Sequence, residues 1–144
     1  MAVKHLFGGL AIEAHSRGAA KVVTVEKYPQ SLAIVAKNLE EMNIGDEIEV
    51  VKMDVMRYLQ SFSGVAFDII LVDPPFTQKL AHPTMEILKD SSVWGSETVI
   101  SVEYSKHEPL MTSYVSKDEP KGTLTKFDER DYGDKLVAFF RRAE

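Results

Sequence analysis

Cysteine is absent from the 144 residues, so no disulfide, thiolate metal site or cysteine nucleophile is available. That absence fits a protein of the reducing cytoplasm. No apolar run approaches the roughly 20 residues needed to cross a bilayer, so no membrane span is expected. The stretch from Met1 to Gly9 is too short for a secretory signal. Excess positive charge is also lacking, because 17 Lys and Arg against 22 Asp and Glu leave a net charge of −5. Nucleic-acid affinity comes largely from phosphate contacts, so this balance argues against strong unaided binding to RNA or DNA, though a local basic patch remains compatible with it. His15, His82 and His107 show no metal-ligand spacing and are expected at the surface, and no metal is expected.

What is present suits one globular domain spanning 1–144. Hydrophobic residues make up 44% and charged residues 27%, close to a soluble average. Strand-like apolar runs alternate with amphipathic stretches. Val3 to Phe7 reads as a strand, Gly8-Gly9 breaks it, and Leu10 to Arg17 reads as a helix ended by Gly18. The β-branched run Lys21 to Glu26 predicts a buried strand. Pro29 suits a first helical turn, and Leu32, Val35, Ala36 and Leu39 repeat at helical spacing up to about Met42. A third strand is expected at Ile48 to Lys52 and a short helix at Val55 to Ser61. Phe67 to Val72 is nearly continuous apolar sequence, as in a central parallel strand covered on both faces. A helix near Leu80 to Lys89, a strand at Glu97 to Tyr104, and two late strands at Gly122 to Arg130 and Lys135 to Arg141 complete the series. Tyr132-Gly133-Asp134 between the last two suits a hairpin. The expected fold is α/β: an open, mostly parallel seven-stranded sheet, helices on both faces and a C-terminal antiparallel hairpin. Trp94 is expected to close a hydrophobic edge. Lys121, Lys126, Lys135, Arg141 and Arg142 read first as solvated hairpin charges and second as a weak basic face.

Such sheets bind ligands beyond the carboxyl ends of their strands, near the point where strand order reverses. Glu26 ends the second predicted strand, Asp54 follows the third and Asp73 ends the fourth. Strand-end Asp residues are often turn or helix-cap residues, so each alone is unremarkable. Three on successive strands direct attention to one edge.

Asp73-Pro74-Pro75-Phe76 is the most specific feature. Two prolines fix the backbone after a buried strand and offer carbonyls without N–H groups. An exocyclic base amine is a poor nucleophile, because its lone pair is delocalised into the ring. A carboxylate and a backbone carbonyl accepting its two protons would turn that lone pair toward an electrophilic methyl. Phe76 offers a face for stacking the base, worth about 1–3 kcal/mol, and the base must be unpaired or flipped to reach it. The competing reading is a rigid turn with an aromatic core plug.

These residues resemble the [Asn/Asp]-Pro-Pro-[Tyr/Phe] motif of amino-methyltransferases. The wider chain is similar to the bacterial family that methylates guanine N2 in small-subunit (16S) ribosomal RNA. The similar segments are Gly8 to Ala19, Val22 to Lys27, Val50 to Val55, Phe67 to Phe76, Val99 to Lys106 and Tyr132-Gly133, in family order. The resemblance implies a Rossmann-like class I methyltransferase using S-adenosyl-L-methionine, with ribosomal RNA or the small ribosomal subunit as substrate. It implies cofactor contacts from Phe7, Gly8, Gly9, Glu26, Lys27, Asp54, Val55 and Asp73. Glu26 would accept from the ribose hydroxyls, and Asp54 would meet the adenine amine. Asp73, Pro74, Pro75 and Phe76 would hold the target base.

The chain departs from the family pattern at its start. His5 stands where the family has an acidic residue, and the glycine loop around Phe7-Gly8-Gly9 is about three residues shorter. A Gly-, Arg- and Lys-rich stretch that precedes the family's first strand is not among the 144 residues. Two alternatives therefore stand beside guanine N2 methylation: another amine target such as adenine N6 or protein glutamine, and a domain of the same fold with weak cofactor binding and little turnover. A nucleotide-dependent oxidoreductase fits less well, because Gly8-Gly9 is no G-x-G-x-x-G and Asp-Pro-Pro-Phe has no role there.

Overall fold

The computed structural model describes residues 2–6 (backbone only), 18, 20–43, 48–74 and 78–144. Its elements, in chain order, are β1 (Ala2–Leu6), β2 (Lys21–Glu26), α1 (Pro29–Met42), β3 (Ile48–Lys52), α2 (Val55–Ser61), β4 (Ile69–Val72), α3 (Ala81–Leu88), β5 (Val99–Ser105), β6 (Ser113–Val115), β7 (Thr123–Asp131) and β8 (Lys135–Arg142). The helix expected at Leu10 to Arg17 lies outside the described residues.

One sheet carries all eight strands in the order β3-β2-β1-β4-β5-β8-β7-β6. The first five are parallel, and β8, β7 and β6 are added antiparallel. The expected seven strands become eight because β6 was missed. It is three residues long, anchored by the single buried side chain of Tyr114, and so offers no alternating pattern to read. Strand order reverses at β1, with the chain building outward to β2 and β3 on one side and to β4 and β5 on the other.

Helices cover both faces, as the alternation of side chains across a strand requires. On one face Val22 and Ile48 pack with Leu39 of α1, with Val35, Ile69 and Leu71 against them. On the other, Val23, Val25, Ile70 and Val72 pack with Val55 and Leu59 of α2 and with Met85 and Leu88 of α3. Pro29 starts α1, and Asn43, at φ 56°, ends it in the left-handed conformation. Asp54 caps α2, its Oδ2 accepting from the Arg57 N–H at 3.2 Å.

Two expectations for single residues are corrected. Trp94 does not close an edge: it is 1% exposed within the larger core, its indole N–H donating to the Lys89 carbonyl at 3.1 Å. His82 is half-buried rather than at the surface, with Nδ1 2.8 Å from the Tyr114 hydroxyl. Both depend on the β5–β6–β7 segment folding back over α3, which local patterning does not show.

Glu108, in the loop after β5, is buried and reaches the start of α3. Its Oε1 accepts from the Ala81 N–H at 2.6 Å and the His82 N–H at 3.4 Å. Those N–H groups have no partner inside the helix, so a carboxylate supplied from elsewhere replaces a local cap. Glu108→Ala is expected to lower unfolding free energy by about 1–3 kcal/mol. Urea denaturation checks this: the midpoint falls while the slope stays unchanged.

Candidate active site

The strand register sets the site's level. Leu6 pairs with Val25 of β2 and with Val72 of β4. The next residues, Glu26 and Asp73, therefore stand at one height at the carboxyl edge, on either side of β1. At a spacing of about 4.8 Å per strand they are separated by roughly 10 Å. Val72 also pairs with Val102, which puts Glu103 of β5 beside Asp73 at the same level and on the same face.

Glu26 is 5% exposed, and its Oε1 accepts from the backbone N–H groups of Lys27 at 3.0 Å and Tyr28 at 3.1 Å. These bonds fix the carboxylate and leave Oε2 without a hydrogen bond among the described residues. A cavity of about 140 Å³ adjoins it, lined by Glu26, Lys27, Tyr28, Asp54, Val55, Met56, Gln78 and Leu80. The structure thus brings Glu26, Lys27, Asp54 and Val55 together around one cavity. Asp54 divides its carboxylate between the α2 cap and Lys27, whose Nζ lies 3.5 Å from Oδ1. The cap reading of Asp54 holds alongside its position in the cavity wall.

Asp73 lines a different, more open space of about 600 Å³, with Leu71, Val72, Ser101, Glu103, Tyr132, Lys135 and Val137. Burial pushes its carboxyl up to about 7, and a hydrogen bond with Glu103 and that residue's negative charge act in the same direction, while the charge of Lys135 opposes them. The Lys135 ammonium in turn donates to Glu103 Oε1. Lys135 is thereby part of the site rather than a solvated hairpin charge. Pro74, the next residue, is buried. Phe7, Gly8, Gly9, Pro75 and Phe76 lie outside the described residues.

Sequence reading missed Glu103, although an acidic residue inside the strand Val99–Ser105 was the available signal. It also missed Tyr28, Gln78 and Leu80, which carry no pattern of their own and join the Glu26 cavity through the loops after β2 and β4. Among the described residues no group of three His, Asp or Glu side chains is placed to hold a metal ion, and no helix is long and apolar enough to cross a membrane.

The sequence profile of a family described as "Conserved hypothetical protein 95" matches residues 7–141. The chain belongs to this family. Relatives include the "Ribosomal RNA small subunit methyltransferase D" of Buchnera aphidicola, 29% identical over 104 residues that make up 72% of this chain and 54% of that one. The protein of the same name in Haemophilus influenzae is 32% identical over 107 residues, 73% of this chain and 55% of its own. The chain spans about half the length of these curated relatives. A solved structure of a conserved hypothetical protein from Streptococcus pyogenes shares the fold, with a TM-score of 0.82 and 28% identity, covering 99% of this chain and 86% of that one. The family resemblance drawn from the Asp-Pro-Pro-Phe segment and its flanking strands is the one these comparisons return.

The Asp73 carboxyl makes stability depend on pH in a defined direction. Its folded-state value lies above the 3.8 of the free group, so the fold binds a proton that the unfolded chain has already released. The penalty for ionising it in the fold is absent below about pH 4, grows between about 4 and 7, and is complete above 7. Asp73→Asn removes that penalty. The stability of the variant relative to the parent is expected to rise across this window and then level off, as measured by urea unfolding at pH 4.5, 6 and 8. A difference independent of pH would contradict the assignment.

Proposed function

We propose that this chain is an S-adenosyl-L-methionine-dependent methyltransferase domain acting on the exocyclic amine of a nucleic-acid base, with guanine N2 of small-subunit ribosomal RNA as the target. The observation that carries the reading is the placement of Glu26 and Asp73 at one level on the carboxyl edge, flanking β1 where strand order reverses. The fold class is the Rossmann-like class I methyltransferase, residues 1–144 act as one domain, and the cytoplasm is where the substrate is met.

The donor and acceptor chemistry of the first cavity suits the nucleoside end of the cofactor. A buried carboxylate at the end of a second parallel strand accepts from ribose hydroxyls, and Glu26 is held for this by the Lys27 and Tyr28 amides. At about 140 Å³ the cavity is smaller than a complete ligand site, which commonly measures about 300–1,000 Å³, and it fits the ring end alone. Lys27 serves this wall by holding Asp54. The cofactor supplies an electrophilic methyl on a sulfonium, so no metal is required. On the target side Asp73 accepts one amine proton, and the Pro74 carbonyl, carried on a residue without an N–H, accepts the other. On this reading Phe76 would offer the stacking face for the base, with Pro75 as the second proline of the motif. Catalysis is then mainly positioning and electrostatics. The shared names of the Buchnera and Haemophilus relatives support ribosomal RNA as the substrate class.

The decisive measurement is methyl transfer from labelled cofactor to immature small ribosomal subunits, followed by nucleoside analysis. N2-methylguanosine is expected; N6-methyladenosine would redirect the target, and no transfer together with no cofactor binding at millimolar concentration would overturn the reading. Glu26→Ala is expected to weaken cofactor binding about tenfold or more, the loss of one or two hydrogen bonds to a charged acceptor. Asp73→Ala is expected to abolish transfer while calorimetry shows binding largely retained. Equal turnover by Asp73→Ala and the parent chain would remove Asp73 from the site.

A further inference from the structure

Asp73 does not stand alone in its pocket. Glu103 approaches it from β5, Lys135 from β8, and Tyr132 from the turn between β7 and β8, with Ser101 one pleat below Glu103. Asp134 lies next to Lys135 in the turn and adds to its positive character. The two carboxyl groups share a hydrogen bond, and the ammonium of Lys135 closes on the outer one, Glu103. The Glu103 side chain is 17% exposed and that of Lys135 39%, so the negative partner is the more shielded of the two. Tyr132, 59% exposed, forms the outer rim.

Two hydrogen-bonded carboxyl groups on neighbouring strands, whose backbones run roughly 5 Å apart, resist ionising together, so one proton is held between them at a pH where an isolated Asp would have lost it. A cation bound to the second carboxylate limits this effect. The arrangement has an inner acid whose proton affinity is raised by one neighbour and trimmed by the next.

We propose that Glu103 and Lys135 are positioning residues that set the proton affinity of Asp73 in opposite directions, tuning it as the acceptor of the proton that a target amine gives up. This rests on the methyl-transfer reading for its purpose, though not for its measurement. In that reaction the amine nitrogen bonds the methyl carbon, the carbon–sulfur electron pair stays on sulfur, and one N–H proton passes to Asp73 and from there to water. An acceptor near neutrality is the most effective base at neutral pH, because it is both available in its ionised form and basic enough to take the proton. An ordinary Asp would be ionised but weak.

The test is a carboxyl-detected carbon NMR titration of the full chain, which needs no turnover. Asp73 in the parent chain is expected to titrate near 7. Glu103→Gln removes the neighbouring charge, and the Asp73 midpoint is expected to fall by about one pH unit or more. Lys135→Met removes the opposing charge and is expected to raise the midpoint. Glu103→Asp and Lys135→Arg, which keep the charges, are expected to return it toward the parent value. In methyl-transfer assays the acid limb of the rate profile should move with the midpoint, downward for Glu103→Gln and upward for Lys135→Met. Midpoints that stay fixed in both neutral variants, or move the same way in both, would overturn the proposal, since repacking alone has no reason to produce opposed shifts. Opposed shifts support it. Should they occur in a chain that transfers no methyl group to any ribosomal RNA, the methyl-transfer reading fails and the charge relation stands.

Discussion

Parallel pairing of β1 with β2 on one side and β4 on the other is the constraint from which the rest of the molecule follows. Parallel ladders bring the carboxyl ends of successive strands to one edge, and the register at Leu6 levels Val25 with Val72. The two carboxylates on which the proposed site centres are the residues immediately after that level: Glu26 on one side, Asp73 on the other. A slip of one residue in either ladder would turn the carboxylate to the opposite face, into the packing of Val25 and Val72. The apolar rows on both faces therefore do two jobs, covering the sheet with helices and holding the register that aligns the acids.

The antiparallel extension β8-β7-β6 supplies what the parallel part lacks. It brings Lys135 and Tyr132 to the edge beside β5, opposite Asp73 and Glu103. It also folds the segment after β5 over α3, where Glu108 caps the helix and Tyr114 meets His82. The start of α3, which follows the Asp-Pro-Pro-Phe segment in the chain, is held by these contacts. A carboxylate that caps a helix and a carboxylate that tunes a neighbour thus lie five residues apart along one strand and loop, with different tasks set by what faces them.

The two acid-lined spaces differ in character. Around Glu26 the backbone does the holding, through two N–H groups that point at one oxygen. Around Asp73 side chains from β5 and β8 do it, and the charges there compensate only in part. The first arrangement is rigid and suited to recognition. The second leaves a proton poised near neutrality, which suits a step in which a proton moves.

Much of this was legible in the sequence. The β-branched run at Lys21–Glu26, Pro29 and the helical spacing after it, and the apolar stretch before Asp73 each reported a local preference, and the elements follow those bounds closely. Asp-Pro-Pro-Phe and its flanking strands carried the family resemblance that the comparisons return. Strand β6, the burial of Trp94 and the partner of His82 were not legible, since each depends on a segment distant in the chain folding over α3. The link from Asp73 through Glu103 to Lys135 belongs to the same class. Sequence alone determined which strands end in carboxylates, because that is a matter of local pattern. Only the tertiary structure decided which carboxylate faces another carboxylate and which faces backbone amides. Strand neighbours are chosen by sheet order, and proton affinity is set by the charges and water within a few ångströms.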